Sequence, residues 1–359
     1  MPAWVATGSR RIDPLLRIHR KIWNTMTEAP YIPSPDRYAS GMVYRRAGRS
    51  GVLLPALSLG LWRNFGTERP FTEVRRMAHY AFDRGIVHFD LANNYGPPYG
   101  TAEENFGRLM QQSFAPYRDE LFVSTKAGYD MWPGPYGNWG SRKYLMASLD
   151  QSLRRMKLDY VDLFYTHRYD PETPLEETLQ ALVDIVRRGK ALYVGISRYL
   201  LEAARFAFSY LARRDVPCLL FQDRYNLFDR HPDTSGVLSL AAEAGSGFIA
   251  FSPLAQGLLT GRYLDGIPQD SRMAAGQSLR REVLTGEMLS RIRALDALAR
   301  ERGQSLAEMA LAWLLRDARV SSVIIGASSV EQIAQNLRAL QSPAFSDGEL
   351  ERIDRIALR

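Results

Sequence analysis

From residue 42 onward, short runs of apolar and β-branched residues alternate with longer stretches in which apolar positions recur every three or four residues. The short runs predict strands buried on both faces, and the longer stretches predict amphipathic helices packed along one stripe. Strands are expected at PALSLGL (55–61), IVHFDLA (86–92), LFVSTKA (121–127), VDLFYTH (161–167), ALYVGIS (191–197), CLLFQ (218–222), GFIAFSPL (247–254) and SSVIIGA (321–327). Helices are expected between and after them at 71–84, 102–112, 142–156, 175–188, 200–213, 235–244, 287–315 and 330–340. Eight strand–helix units in succession predict an α/β chain closed as a (β/α)8 TIM barrel. Ahead of the first strand, MVYRRAGRSGVLLP (42–55) reads as an N-terminal hairpin. FSDGELERIDRIA (345–357) reads as a C-terminal helix, begun by Ser346 with Glu349 as its capping-box partner.

Two connections are longer than the geometry needs. KAGYDMWPGPYGNWGS follows the third strand, and the stretch 257–286 follows the seventh. Both leave C-terminal strand ends, the face where barrel active sites are built. A doubly wound sheet would want G-x-G-x-x-G after the first strand, and GLWRNFGTERPF has nothing of that kind.

The 359 residues are 46% hydrophobic and 24% charged, a composition that supports a large core and excludes a disordered chain. The single cysteine, Cys218, excludes a disulfide framework, a four-cysteine zinc module and a CxxC pair. It points to a reducing compartment, so a cytoplasmic location is expected. No run of about 18 uncharged apolar residues occurs, so no membrane span is expected. The net charge of +7 is concentrated at one end: residues 1–50 carry +6 and the remaining 309 carry +1. A near-neutral body argues against nucleic-acid binding. Residues 1–40 are therefore read as a basic, unpacked extension before a barrel domain at 41–359. The extension is mildly like a transit peptide, and a translation start at Met26 accounts for it more simply.

Polar side chains stand at or just past strand ends: Asp90 and Tyr95 after the second strand, Lys126 in the third, His167 in the fourth, Ser197 in the fifth and Gln222 in the sixth. Lys126 is the most informative. The chain uses 41 arginines and five lysines, yet places this lysine inside the apolar strand FVSTKAG, where a charge is costly unless paired. An ammonium beside a tyrosine favours the phenolate, while a carboxylate holds the ammonium in place, so Tyr95 is expected to have a lowered pKa and to donate a proton near neutrality. No metal-ligand spacing among the histidines and no G-x-S-x-G motif occur, so neither a catalytic metal nor a serine nucleophile is expected.

In order along the predicted barrel, FDLANNYG, STKAG, LFYTHR, YVGIS, FQDRYNL, FSPLAQGLLTGRY and IGASSVEQIAQN resemble the aldo-keto reductase superfamily, over residues 41–357. Within it, ANNYGPPYGTAEENFGRLM and KAGYDMWPGPYG are similar to the branch of bacterial L-glyceraldehyde 3-phosphate reductases, which itself resembles the voltage-gated potassium channel β subunits. The resemblance implies that Asp90, Tyr95, Lys126 and His167 form a catalytic tetrad with Tyr95 as general acid. It implies that Ser197, Arg198 and Gln222 hold the nicotinamide carboxamide, that Phe251 stacks on the ring, and that Gly60 and Trp62 border it. Ser252, Leu254 and Gly257 match the pyrophosphate segment, with Arg262 and Arg272 as basic companions; Gly326, Ser328, Gln332 and Asn336 match the adenosine end. Gly326-Ala-Ser-Ser opening a helix offers an anion-binding N-terminus on physical grounds alone. Many NADPH-preferring relatives place an arginine where Gln332 stands, so NADPH is expected with NADH as an alternative.

The expected activity is reduction of small polar aldehydes, L-glyceraldehyde 3-phosphate first and methylglyoxal-like carbonyls second. Trp62, Trp132 and Tyr136 are expected to wall the substrate pocket, and Arg63 or Arg168 to meet a substrate phosphate. A homo-oligomer is compatible with this reading. The rival is a cofactor-binding regulatory subunit of a membrane channel with little turnover. His167 opposes it, because the resemblance implies asparagine at that position in the channel subunits.

Overall fold

The computed structural model describes residues 30–269, 273, 274, 276 and 279–358. Its first two strands, β1 (Tyr44–Arg46) and β2 (Leu53–Pro55), form the antiparallel hairpin, with Tyr44 opposite Pro55. Eight further strands follow: β3 (Leu57–Gly60), β4 (His88–Asp90), β5 (Phe122–Ala127), β6 (Val161–Thr166), β7 (Ala191–Ser197), β8 (Cys218–Arg224), β9 (Gly247–Phe251) and β10 (Val320–Ile325). They close in the order β10-β3-β4-β5-β6-β7-β8-β9, every neighbouring pair parallel. Helices lie between them in sequence, so the expected (β/α)8 barrel is the observed architecture.

The strands read as continuous apolar runs because they are covered twice, by barrel interior and by helices. In β6 every residue from Val161 to Thr166 is buried. At the N-terminal strand ends the hairpin seals the barrel, and its Ala47 and Leu54 join Leu163, Tyr165, Leu220, Ile249 and Ile324 in one buried cluster. The final helix, Asp347–Ala357, starts at Ser346 with Glu349 closing the capping box as expected.

Two expectations change. The helix expected over 287–315 is two, Gly286–Glu301 and Leu306–Leu315. Gly303 breaks the first in a left-handed conformation (φ 71°), and Ser305 with Glu308 forms a capping box that starts the second. The barrel unit also begins at Pro33, ahead of the boundary expected at residue 41. The Ser34 amide donates to Asp83 Oδ1 at 2.8 Å and Arg37 pairs with Glu120 at 2.6 Å. Residues 1–29 lie outside the described residues.

Candidate active site

Asp90 is the last residue of β4 and Lys126 the penultimate residue of β5, so both project at the C-terminal mouth of the barrel. Lys126 is fully buried, with Nζ 2.6 Å from Asp90 Oδ2 and 2.6 Å from the Leu91 carbonyl. The third contact of Nζ is the Tyr95 hydroxyl at 3.4 Å. Asp90 is as enclosed as its partner, and its second oxygen accepts from Ser124 Oγ at 2.7 Å and Gln222 Nε2 at 3.2 Å. A buried ion pair survives only when the remaining lone pairs and protons find partners, and here three donors converge on one carboxylate.

Tyr95 is carried on the loop after β4. Its amide donates to the Ala92 carbonyl, and the next amide, of Gly96, donates to the Trp62 carbonyl at 2.9 Å. Gly96 has φ 78°, and a Cβ there would meet Thr101 Oγ1 at 2.7 Å and the Ala102 amide nitrogen at 2.8 Å, so only glycine allows the turn that presents Tyr95. The rings of Trp62 and His167 flank the phenol, with centroids at 6.3 Å and 5.7 Å. His167 follows β6, and Tyr129 meets its ring edge to face at 4.7 Å.

The electrostatics depart from expectation in one respect. Burial, with help from the Asp90 carboxylate and Tyr129, pushes the Tyr95 pKa well above 10 rather than lowering it. Burial also lowers that of Lys126 against the pull of Asp90. Desolvation therefore outweighs the acidifying effect anticipated from the lysine, and Tyr95 is held as a protonated phenol. His167 is driven well below 6.5 by burial and by Lys126, Arg168 and Arg198, so its ring is neutral at pH 7. The cluster thus presents one phenolic O–H and one neutral imidazole beside a buried cation.

Beyond these four residues lie the positions expected to hold the cofactor. Ser197 ends β7, and its buried Oγ has no hydrogen-bond partner among the described residues. Arg198 (φ 56°), Ser252 (φ 52°), Ala255 (φ 46°) and Gln256 (φ 58°) are left-handed, and Gly257 (φ 108°) continues the run after β9. Within this run the Ala255 amide donates to the Ser252 carbonyl at 3.0 Å. Phe251 is half-buried at the end of β9 with Arg224 above its ring, while Leu254 accepts from the Gly257 amide at 2.9 Å. Arg262 is exposed on the same segment, and Arg272 lies outside the described residues. After β10, exposed Gly326 leads to Ser329, which caps Val330–Leu337; Gln332 Oε1 accepts from the Ser328 amide at 2.9 Å, and Asn336 is buried. Gly60 ends β3, where a Cβ would strike Ile324. An orphaned hydroxyl beside a strained, left-handed rim fits a nicotinamide dinucleotide.

The residues expected at the substrate differ in their surroundings. Trp62 contacts Tyr95, and the Arg63 guanidinium stacks on the Trp62 ring at 4.7 Å. Trp132 instead packs on Tyr144 at 5.1 Å, and Tyr136 is exposed with the Lys143 ammonium over its ring. Arg168 donates Nε to the Gly128 carbonyl at 2.8 Å and Nη2 to Asn138 Oδ1 at 2.9 Å, between the rings of Tyr129 and Trp139. It ties both ends of the long loop after β5 together. Sequence reasoning missed Ser124, Tyr129 and Trp139; alternation along β5 does put Ser124 on the same side as Lys126, which was a readable signal.

Among the described residues no group of three or more His, Cys, Asp or Glu side chains could hold a metal ion, and no helix is long and apolar enough to cross a membrane. The sequence is 57% identical to an L-glyceraldehyde 3-phosphate reductase of Escherichia coli K12 over 328 residues, covering 90% of this chain and 94% of the relative. It is 37% identical over 322 residues to a rice protein (Oryza sativa subsp. japonica) named "Probable voltage-gated potassium channel subunit beta", covering 88% of this chain and 96% of that one. The profile of the aldo/keto reductase family matches residues 56–358, and with it the closed barrel and the buried cluster at its C-terminal mouth take one meaning: the chain belongs to the aldo/keto reductase family.

Proposed function

We propose that the protein reduces small polar aldehydes to primary alcohols with a nicotinamide dinucleotide, L-glyceraldehyde 3-phosphate being the foremost substrate and methylglyoxal-like carbonyls the second. The reading is carried by the Asp90–Lys126–Tyr95 chain of contacts with His167 beside it. When bound, the cofactor supplies the hydride. Tyr95 donates its proton to the carbonyl oxygen, and the neutral imidazole of His167 offers a second hydrogen bond to that oxygen. Lys126 stabilises the phenolate left behind, and Asp90 keeps the ammonium in place. Because the phenol is held protonated, reduction should stay level through neutral pH and fall only in alkaline solution, where the acid form is lost.

Ser197, Arg198, Gln222 and Phe251 are proposed to hold the nicotinamide end, the segment from Ser252 to Gly257 the pyrophosphate, and Ser328, Gln332 and Asn336 the adenosine end. NADPH is the proposed donor, with NADH as the alternative that Gln332 keeps open. Trp62 would pack on the short carbon chain and Arg63 meet a phosphate; Arg168, already bonded to Gly128 and Asn138, is better suited to shaping the loop. The higher identity to the reductase than to the channel-subunit relative favours turnover over a purely regulatory role. The test is nicotinamide oxidation, followed by absorbance, over a panel of phosphorylated and neutral short aldehydes with each cofactor. Turnover of phosphorylated three-carbon aldehydes above their neutral analogues supports the proposal. No turnover of any aldehyde with either cofactor sinks it.

A further inference from the structure

Inside the barrel, on the side of the Asp90–Lys126 pair away from the mouth, lies a run of polar side chains that the proposed reaction does not touch. His88 opens β4 two residues before Asp90, and Ser124 stands two residues before Lys126 in β5, so alternation puts each on the same side as its partner. The His88 ring is fully buried. Its Nε2 is 2.9 Å from Ser124 Oγ and its Nδ1 is 2.8 Å from Ser58 Oγ. Ser58 Oγ is 2.6 Å from Ser322 Oγ, which reaches the Pro55 carbonyl at the barrel floor. Ser124 Oγ is 2.7 Å from Asp90 Oδ1.

With a neutral ring, four hydrogens serve the five contacts from Asp90 to Pro55, and the ion pair fixes where the first of them goes. A carboxylate facing an ammonium has only lone pairs to offer, so the single Ser124 hydrogen goes to Asp90 Oδ1. The contact between Ser124 and His88 must then be made by an N–H on Nε2. Burial lowers the His88 pKa to about 4, so the ring is neutral at pH 7 and carries one N–H. Nδ1 is therefore bare and accepts from Ser58, which leaves the single Ser322 hydrogen to be shared between Ser58 Oγ and the Pro55 carbonyl.

The geometry points to His88 and Ser124 as positioning residues for the reaction. As its Nε2–H tautomer, His88 holds the Ser124 hydroxyl on Asp90 and so sets the carboxylate rotamer that carries Lys126. The inference rests on the proposed roles of Asp90, Lys126 and Tyr95. With the Ser124 hydroxyl turned away, Asp90 Oδ1 keeps only the 3.2 Å contact from Gln222. Any rotation of the carboxylate then pulls Lys126 from the Tyr95 hydroxyl, which at 3.4 Å is already the loosest contact in the chain. Small misplacements of this kind are expensive in rate and cheap in binding.

The test compares Ser124→Ala, His88→Leu, His88→Gln, the Ser124→Ala/His88→Leu double variant and Tyr95→Phe. Ser124→Ala and His88→Leu should each lower kcat about tenfold or more, as loss of a supporting hydrogen bond does at other sites, while KM and cofactor Kd stay within about twofold. In His88→Gln the introduced amide nitrogen can still donate to Ser124, so most of the loss should be recovered. The double variant should be no worse than the worse single one, since both break one connection. Separately from turnover, 15N NMR of histidine-labelled protein should show His88 as the Nε2–H tautomer until the pH approaches about 4, and a tautomer mixture in Ser124→Ala. If His88→Leu fails to fold, Ser124→Ala, which loses one oxygen, still decides. A Ser124→Ala variant with wild-type kcat beside an inactive Tyr95→Phe overturns this inference and leaves the proposed chemistry standing. An active Tyr95→Phe overturns the chemistry instead, and a Nδ1–H tautomer in the wild type overturns the inference whatever the turnover.

Discussion

At the N-terminal ends of its strands the barrel is closed by a hairpin whose Ala47 and Leu54 are fully buried. The Arg45 guanidinium donates to the Leu315 and Asp317 carbonyls, where the helix Leu306–Leu315 ends, and Ser321 Oγ donates to the Arg46 carbonyl. The C-terminal ends of the same strands are treated oppositely. Ser197 Oγ, His167 Nδ1 and Gln256 Oε1 are buried without a partner among the described residues, and left-handed Ser252, Ala255 and Gln256 crowd one short segment. Lys157, which ends the helix Arg142–Met156, is by contrast a single left-handed residue serving as a helix stop. The contrast separates two kinds of work: one end is built to stay shut, and the other keeps strain and unused hydrogen-bonding capacity for a ligand.

The sharpest break between the two ends should come from Tyr95→Phe, which removes one hydroxyl at the mouth. Turnover should fall on the order of 10²- to 10⁴-fold with the melting temperature unchanged, the range for a lost general acid. Steady-state kinetics beside calorimetry would show it, and unaltered turnover would remove Tyr95 from the chemistry. At the floor, Leu54→Ala should do the reverse, costing about 2–5 kcal/mol of stability for a fully buried leucine while kcat per folded molecule is kept. Denaturant titration with activity measured on the folded fraction would detect a floor that reaches into function.

Acid probes the interior between them. His88 falls from 6.5 unfolded to about 4 folded, so between those values the unfolded chain binds a proton that the folded one refuses. Its contribution is present above pH 6.5 and is lost as the pH falls toward 4, about 3 kcal/mol in all. Urea titrations across that window should show a shallower acid loss in His88→Gln than in the wild type; identical slopes would mean the ring is not held neutral. A smaller effect is expected from Ser197→Ala, where cofactor affinity should drop about fivefold, near 1 kcal/mol for a neutral hydrogen bond, with stability unchanged or slightly raised. Fluorescence quenching by each cofactor measures it, and equal affinities would detach Ser197 from the site. The least effect is expected from deleting residues 1–25, which should change neither melting temperature nor turnover; a melting point lower by several degrees would refute that.

The architecture was legible because a parallel strand covered on both faces must be apolar throughout, and a helix on its outside must be apolar on one stripe. Those two constraints mark all eight strands and the order of the helices between them. The break at Gly303 was also written in the chain, as Ser305 followed three residues later by Glu308, but the surrounding apolar rhythm hid it.

At the site, residue identity was enough to single out Lys126 with Asp90 and Tyr95, because a charge within an apolar strand requires a partner and strand ends supply one; grouping them with His167 took the family resemblance. Identity did not decide what the neighbourhood does to those groups. Whether Lys126 acidifies Tyr95 depends on how deeply both are desolvated, and burial prevails over the lysine's charge. Whether Arg168 is available to a substrate depends on which carbonyl and amide lie within its reach, and the folded loop brings Gly128 and Asn138 to it. The chain therefore determined the fold and the chemical groups at its mouth through local periodicity and strand position. Proton affinities, the His88–Ser124–Asp90 bond directions and the partners of each arginine were decided only in three dimensions, because desolvation and hydrogen-bond geometry are properties of neighbours far apart in sequence.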